Sequence, residues 1–121
     1  MPATCHHNDP QLMELAHKFV DMKTVRPQLF YLWGHSYEFE GNDNWNVIEE
    51  FSEYMGGRDD IWYATNMEIY EYIDAYNKLV FSADAETIYN PTAKTVYFTL
   101  SRNLDADVYS IAPDETIHVK K

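Results

Sequence analysis

A histidine directly after the most apolar stretch of the chain is the side chain best placed for acid–base chemistry. The apolar run at residues 29–33 leads straight into Gly34 and His35. In α/β folds, ligands bind beyond the carboxyl ends of parallel strands. Histidine also titrates near neutral pH, as a catalytic acid or base must. The alternative is a structural role, in which the imidazole hydrogen-bonds the backbone at the strand end.

Aromatic side chains follow this histidine closely. Tyr37, Phe39 and Trp45 are large ring systems within a short distance along the chain. Aromatic faces stack on the C–H groups of sugars, which favours a carbohydrate subsite. The alternative is a hydrophobic patch beneath the adjoining loop, because exposed aromatic residues mark interfaces of many kinds.

A second group of chemically capable residues lies near the N-terminus. Cys5, His6, His7 and Asp9 are all side chains that zinc accepts as ligands. Adjacent histidines point to opposite sides of an extended chain, and terminal residues are often frayed. We therefore expect no preorganised metal site here and assign no metal ligand or cofactor within this chain.

The elements that would position these residues alternate along the first part of the chain. The pattern predicts, in order, a helix starting near Asn8 or Asp9, a strand over 29–33, a helix after a turn at 41–44, a strand over 61–64, and a helix with a capping box at Thr65 and Glu68. This order implies parallel strands with right-handed crossovers. The fold class is therefore α/β.

From Lys78 onward the sequence pattern is typical of β-strands. Strands are predicted over 79–81, 95–100 and 117–119, with a weaker one over 109–111. Val96, Phe98 and Leu100 alternate with more polar neighbours, as in a half-buried strand. We expect residues 1–77 to form the parallel-stranded segment and residues 78–121 to form a small β-rich extension packed on it.

Composition excludes several classes of protein. The 121 residues suit one domain, and 45% hydrophobic with 16% aromatic content argues against disorder. A net charge of −11 would repel a phosphate backbone. No apolar run approaches the roughly 20 residues of a membrane span, and the N-terminus does not read as a signal peptide. With Cys5 as the one cysteine, we expect a cytoplasmic protein without nucleic-acid or membrane partners.

Longer stretches of the sequence that contain these residues resemble the C-terminal part of polysaccharide deacetylases. The resemblance is carried by LFYLWGHSYEF at 29–39, NW at 44–45 and RDDIWYATN at 58–66. These are metal-dependent enzymes built on the NodB-type domain, a distorted (β/α) barrel, and the resemblance implies a partial barrel here. It further implies that His35 is the general acid and that the substrate, a carbohydrate, contacts Tyr37, Trp45, Trp62 and Asn66.

The family's metal-binding motifs do not occur in this chain. The family uses an early Asp pair and a His-x-x-x-His, and Tyr31 stands where its Leu-x-x-x-His motif has leucine. Asp59 and Asp60 precede a predicted strand, and we interpret them as part of a solvated turn. A divalent metal, zinc or similar, is expected in the full-length family, and this chain alone is expected to be inactive as a deacetylase.

The expected size of the fold has a consequence for assembly. A complete barrel of this type needs about 250 residues, so a segment of this length would present open sheet edges. The β-rich C-terminal extension, a second copy of the chain or a missing N-terminal half should cover them, so a homodimer is one expectation. The alternative function, from another class, is a non-catalytic carbohydrate-binding or assembly domain.

Overall fold

The structure, a computed structural model, describes residues 3–24, 26–102 and 105–119. The chain divides into two compact units, Met1–Ile61 and Trp62–Lys121. The described part is mixed α/β, with four helices and three small sheets. Within those residues, no helix combines the length and the apolar character needed to cross a membrane.

The described residues of the first unit form two short strands and three helices. In chain order they are β1 (Cys5–His6), α1 (Leu12–Asp21), β2 (Leu32–Trp33), α2 (Ser36–Asn42) and α3 (Trp45–Met55). α1 packs against α3, with Leu12 and Ala16 buried. The unit therefore combines a packed pair of helices with a small parallel sheet.

The boundaries of these helices differ from the predicted ones for local reasons. α1 begins at Leu12 rather than near Asn8, because the Asp9 carboxylate accepts the Gln11 backbone N–H (2.8 Å) in a turn that precedes the helix. α2 was not predicted at all. Of the turn predicted at 41–44, Gly41 and Asn42 belong to α2, and the connection to α3 is Asp43, in the left-handed conformation (φ 50°), with Asn44.

The two parallel strands are shorter and more exposed than predicted. β1 pairs with β2 in parallel, with Cys5 opposite Leu32 and His6 opposite Trp33. The prediction of a strand over 29–33 covered on both faces is wrong in extent, since only Leu32 and Trp33 are in a strand and Trp33 is 49% exposed. A two-stranded sheet has too little surface to bury a longer run on both sides.

The predicted strand over 61–64 does not form. Residues 61–65 lie in irregular structure, with Trp62 and Tyr63 exposed. A short apolar run becomes a strand only where a neighbouring strand takes up its backbone hydrogen bonds. Among the described residues, parallel pairing is confined to β1 and β2 and no closed barrel is formed.

The second unit combines one helix with five strands in its described part. They are α4 (Asn66–Asn77), β3 (Val80–Phe81), β4 (Thr87–Tyr89), β5 (Val96–Arg102), β6 (Asp105–Ile111) and β7 (Thr116–His118). β3, β4 and β7 form an antiparallel sheet in that order, and β5 pairs antiparallel with β6. The four strands predicted in this region are confirmed within a few residues, and β4 was missed.

The capping box predicted before α4 is confirmed. The Thr65 side chain accepts the Glu68 backbone N–H (3.3 Å), and the Glu68 carboxylate accepts the Thr65 backbone N–H (2.7 Å). The carboxylate also accepts the Thr65 hydroxyl (2.8 Å), and the two hydrogen bonds that it accepts from the Thr65 backbone and side chain lower the pKa of Glu68. The start of α4 is thus determined by residues three apart in the chain.

The core of the second unit lies between α4 and the strands. It consists of buried apolar side chains from the helix and from both sheets: Ala75, Leu79, Ile88, Val96, Phe98, Ile111 and Val119. The Tyr72 hydroxyl also donates to the Tyr97 carbonyl (2.6 Å) and accepts the Tyr97 N–H (2.9 Å). α4 therefore packs with the β-rich half, whereas the sequence-based division at 77/78 grouped it with the preceding segment.

Candidate functional site

The first unit brings its chemically capable residues to one edge of the parallel strands. The pairing of β1 with β2 is extended by hydrogen bonds from Thr4 N–H to the Tyr31 carbonyl (2.7 Å) and from His7 N–H to the Trp33 carbonyl (3.0 Å). Because the strands are parallel, the residues after each strand emerge at the same edge. His7 follows β1 there, and His35 follows β2 after a single glycine.

The two adjacent histidines converge rather than diverge, contrary to the expectation for an extended chain. The strand ends at His6, and a hydrogen bond from Asp9 N–H to the His6 carbonyl (2.9 Å) turns the chain. The alternation of side chains along a strand no longer applies once the backbone turns. The two imidazole rings consequently lie 4.3 Å apart, centroid to centroid.

Gly34 makes room for the second of these rings. A β-carbon placed on Gly34 would lie 1.8 Å from His7 Nδ1 and 2.4 Å from its Cε1. The His7 ring also packs on Phe39, at 4.2 Å between centroids. The ring of His7 is therefore in close contact with both the glycine backbone and a phenyl ring.

Glu38 joins the two histidines into one cluster. Its Oε2 lies 3.2 Å from His6 Nε2 and 3.1 Å from His7 Nε2. The same oxygen accepts the His35 backbone N–H (3.2 Å), because Glu38 is the third residue of α2 and reaches back to the residue before the helix. We call His6, His7 and Glu38 the His–His–Glu cluster.

The environment of His7 disfavours the charged form of its ring. Its side chain is almost completely buried, at 2% exposure, and burial lowers the pKa of His7, assisted by the neighbouring His6 and only partly opposed by the Glu38 carboxylate. Although His7 Nε2 is close to Glu38, it makes no hydrogen bond. His7 Nε2 therefore faces the cluster and has no hydrogen-bond partner there.

His35 occupies a more open position beside the cluster. It is the residue before the first turn of α2, and its ring stacks on Tyr37 with centroids 5.2 Å apart and planes 14° from parallel. The Trp33 ring lies edge-on to it at 6.3 Å. An exposed imidazole between two exposed aromatic rings can exchange a proton with a bound ligand.

The other predicted site residues divide between the two units. Trp45 lies at the start of α3, where its ring contacts Phe39 (5.1 Å) and its Nε1 donates to Glu40 (3.3 Å). Trp62 and Asn66 belong to the second unit, where both are exposed and Trp62 lies edge-on to the Tyr72 ring (5.5 Å). Within the first unit, the structure brings His35 and Tyr37 into direct contact.

Sequence reasoning missed Glu38 as a member of the site. Its carboxylate lies three residues after His35, which is the spacing of a capping box, but a histidine stands where that pattern normally has serine or threonine. Cys5 and Asp9, which were considered with the histidines, are not part of the cluster that forms among the described residues. Cys5 is instead a buried free thiol, and burial raises its pKa.

Comparison of the chain with protein-family models, with curated proteins and with solved structures finds no match.

Proposed function

We propose that this chain is the C-terminal portion of a metal-dependent polysaccharide deacetylase-like protein, which would hydrolyse acetyl groups from a carbohydrate. The observation that carries the proposal is the pair of parallel strands β1 and β2, whose carboxyl ends bring three histidines and Glu38 to one edge. Catalytic groups of α/β barrels cluster at this end of the strands. The partial barrel belongs to the same proposal, since among the described residues β1 and β2 pair only with each other.

In this proposal His35 is the proton donor to the leaving group. The divalent metal of the family would supply an activated water for the acetyl carbonyl, and the exposed His35 imidazole at the carboxyl edge would protonate the sugar oxygen or nitrogen of the leaving group. The Asp pair and the His-x-x-x-His that the family uses for its metal are not in this sequence. We therefore expect the 121 residues alone to release no acetate.

The carbohydrate would contact the aromatic side chains around His35. Tyr37 is 70% exposed and already stacked on the His35 ring, so its outer face is available to a sugar. Trp45, Trp62 and Asn66 complete the proposed contact residues. These exposed rings also support the second candidate, a non-catalytic domain that binds carbohydrate or assembles with a partner.

The proposal includes a partner chain and a location. Because β1 and β2 have no further strand beside them among the described residues, a second copy or an N-terminal half would complete the sheet. The buried free thiol of Cys5 is compatible with the reducing conditions of the cytoplasm.

A titration with a carbohydrate tests the role of Tyr37. An N-acetylglucosamine oligosaccharide is titrated into the 121-residue chain by calorimetry. Tyr37→Ala is expected to weaken binding roughly tenfold, because loss of one aromatic stacking contact is worth about 1.4 kcal/mol. The matched control is Tyr70→Ala on α4, since Tyr70 is a comparably exposed tyrosine at 66%.

Two results would contradict the assignment of Tyr37. One is equal weakening in both tyrosine variants, and the other is no binding by the unsubstituted chain. Binding that disappears in Trp45→Ala while Tyr37→Ala binds normally would instead favour the non-catalytic binding domain.

A further inference from the structure

We propose that His6, His7 and Glu38 form a Zn²⁺ site, with the two Nε2 atoms and the Glu38 carboxylate as ligands. One ligand atom from each residue can be chosen so that all three lie within 4.8 Å of one another. This site lies within the chain itself and is distinct from the Asp and His-x-x-x-His motifs expected elsewhere in the family. It does not depend on the deacetylase proposal.

The two distances from Glu38 to the histidines are close to those between ligands of tetrahedral zinc. Zinc binds imidazole nitrogen and carboxylate oxygen at about 2.0–2.2 Å, so two ligands of a tetrahedral ion are about 3.3–3.5 Å apart. Glu38 Oε2 lies 3.2 Å from His6 Nε2 and 3.1 Å from His7 Nε2. A small outward movement of the carboxylate would open the space for an ion.

The buried nitrogen of His7 is the second, independent observation. The side chain is almost completely buried, and its Nε2 is closed off from solvent. That nitrogen nevertheless has no hydrogen-bond partner. A buried polar atom without a partner is costly and uncommon in folded proteins. Coordination of a metal ion would satisfy that atom.

The chemistry of the three ligands selects the ion. Two imidazoles and one carboxylate are the set found at several zinc centres, whereas Mg²⁺ and Ca²⁺ prefer sites made of oxygen atoms. The fourth position would remain open to water, since His6 and Glu38 are about one quarter exposed at their side chains. The chain's net charge of −11 further favours a cation over an anion.

Binding would cost one existing hydrogen bond. Nδ1 of His6 accepts the Asn8 backbone N–H at 3.1 Å. A zinc ion on Nε2 would move the ring proton to Nδ1, which then could no longer accept from Asn8. Zinc binding should therefore shift the amide signal of Asn8, a residue that is not itself a ligand.

The experiment measures bound metal rather than activity, so its outcome is separate from that of the deacetylase proposal. The 121-residue chain is stripped with a chelator, equilibrated with Zn²⁺, and analysed for metal content and affinity against a chromophoric competitor. We expect one zinc ion per chain, no retention of Mg²⁺, and a shifted Asn8 amide in the ¹H–¹⁵N spectrum.

Conservative variants identify the ligands. Glu38→Gln keeps an oxygen that can accept the His35 N–H but removes the charge, and it should weaken zinc binding at least tenfold. His7→Gln and His6→Gln should do the same, whereas His17→Gln, an exposed histidine on α1, and Cys5→Ser should bind as the unsubstituted chain does.

Three outcomes would overturn the site. They are no zinc retained by the stripped chain, undiminished affinity in Glu38→Gln, and equal loss of affinity in His17→Gln. Glu38→Gln keeps the result interpretable if His7→Gln does not fold, because Glu38 is only partly buried.

Discussion

Replacing Asn90 by alanine is expected to lower the free energy of unfolding of the second unit by about 4 kcal/mol. Asn90 is completely buried in the core of that unit. Its Oδ1 accepts both the backbone N–H (3.0 Å) and the hydroxyl (2.7 Å) of Thr92. Its Nδ2 faces three backbone carbonyls, those of Lys94 (2.7 Å), Ile111 (3.0 Å) and Ala112 (3.0 Å).

The size of this effect follows from what alanine would leave behind. The side chain joins the loop after β4 to the end of β6, so its removal unpairs carbonyl groups in a region that water reaches poorly. A buried polar group left without a partner costs about 1–3 kcal/mol, and several are involved here. Urea unfolding followed through the amide signals of β5 and β6 measures the loss.

Two further variants make the Asn90 prediction specific. Asn77→Ala, an exposed asparagine at the end of α4, should change stability by no more than about 0.5 kcal/mol. Asn90→Asp places a carboxylate opposite the three carbonyls, which raises the pKa of the new side chain in the folded state. The free energy of unfolding of Asn90→Asp should then increase as pH falls, because the folded form binds the proton more tightly than the unfolded form does. A stable Asn90→Ala protein would contradict the account.

A Gly34→Ala variant is expected to destabilise the first unit by about 3 kcal/mol. The added β-carbon would overlap the His7 ring, at 1.8 Å from Nδ1. That ring has little room to move, because Phe39 lies against it and the Glu38 carboxylate is at its Nε2. Urea unfolding followed through the amide signals of β1 and β2 reports on this unit.

The chain offers a matched control and a rescue for Gly34. A β-carbon on Gly41 would have nothing within 4 Å, so Gly41→Ala within α2 should be neutral or stabilising by up to about 1 kcal/mol. Adding His7→Ala to Gly34→Ala removes the overlap and should cost less than the two single changes added together. Equal stability of Gly34→Ala and Gly41→Ala would show that His7 is not held against residue 34.

Local signals in the sequence were sufficient where neighbours in the chain determine the structure. The capping box at Thr65 and Glu68 needs only residues three apart, and it formed as predicted. The alternation around Val96 and Phe98 likewise identified a strand, because both residues are buried while Tyr97 between them is exposed.

Predictions failed where distant parts of the chain decide the outcome. Residues 61–64 have the apolar character of a strand, but no strand in the part of the chain that the structure describes takes up their backbone hydrogen bonds. The His–His–Glu cluster depends on β1 pairing with β2, about 27 residues away in sequence, and on a helix that begins at Ser36. Neither the pairing nor α2 has a local signal strong enough to predict it.

Acetate release is the measurement that tests the central claim, that His35 donates the proton in a deacetylase-like reaction. The protein translated from the complete reading frame that contains these residues is assayed on an N-acetylated chitin oligosaccharide and on an O-acetylated xylan oligosaccharide. We expect acetate from one of them. His35→Gln should lower kcat by roughly 10²–10⁴-fold with little change in KM, and His17→Gln should leave both unchanged. No acetate from either substrate, or full kcat in His35→Gln, would contradict the account.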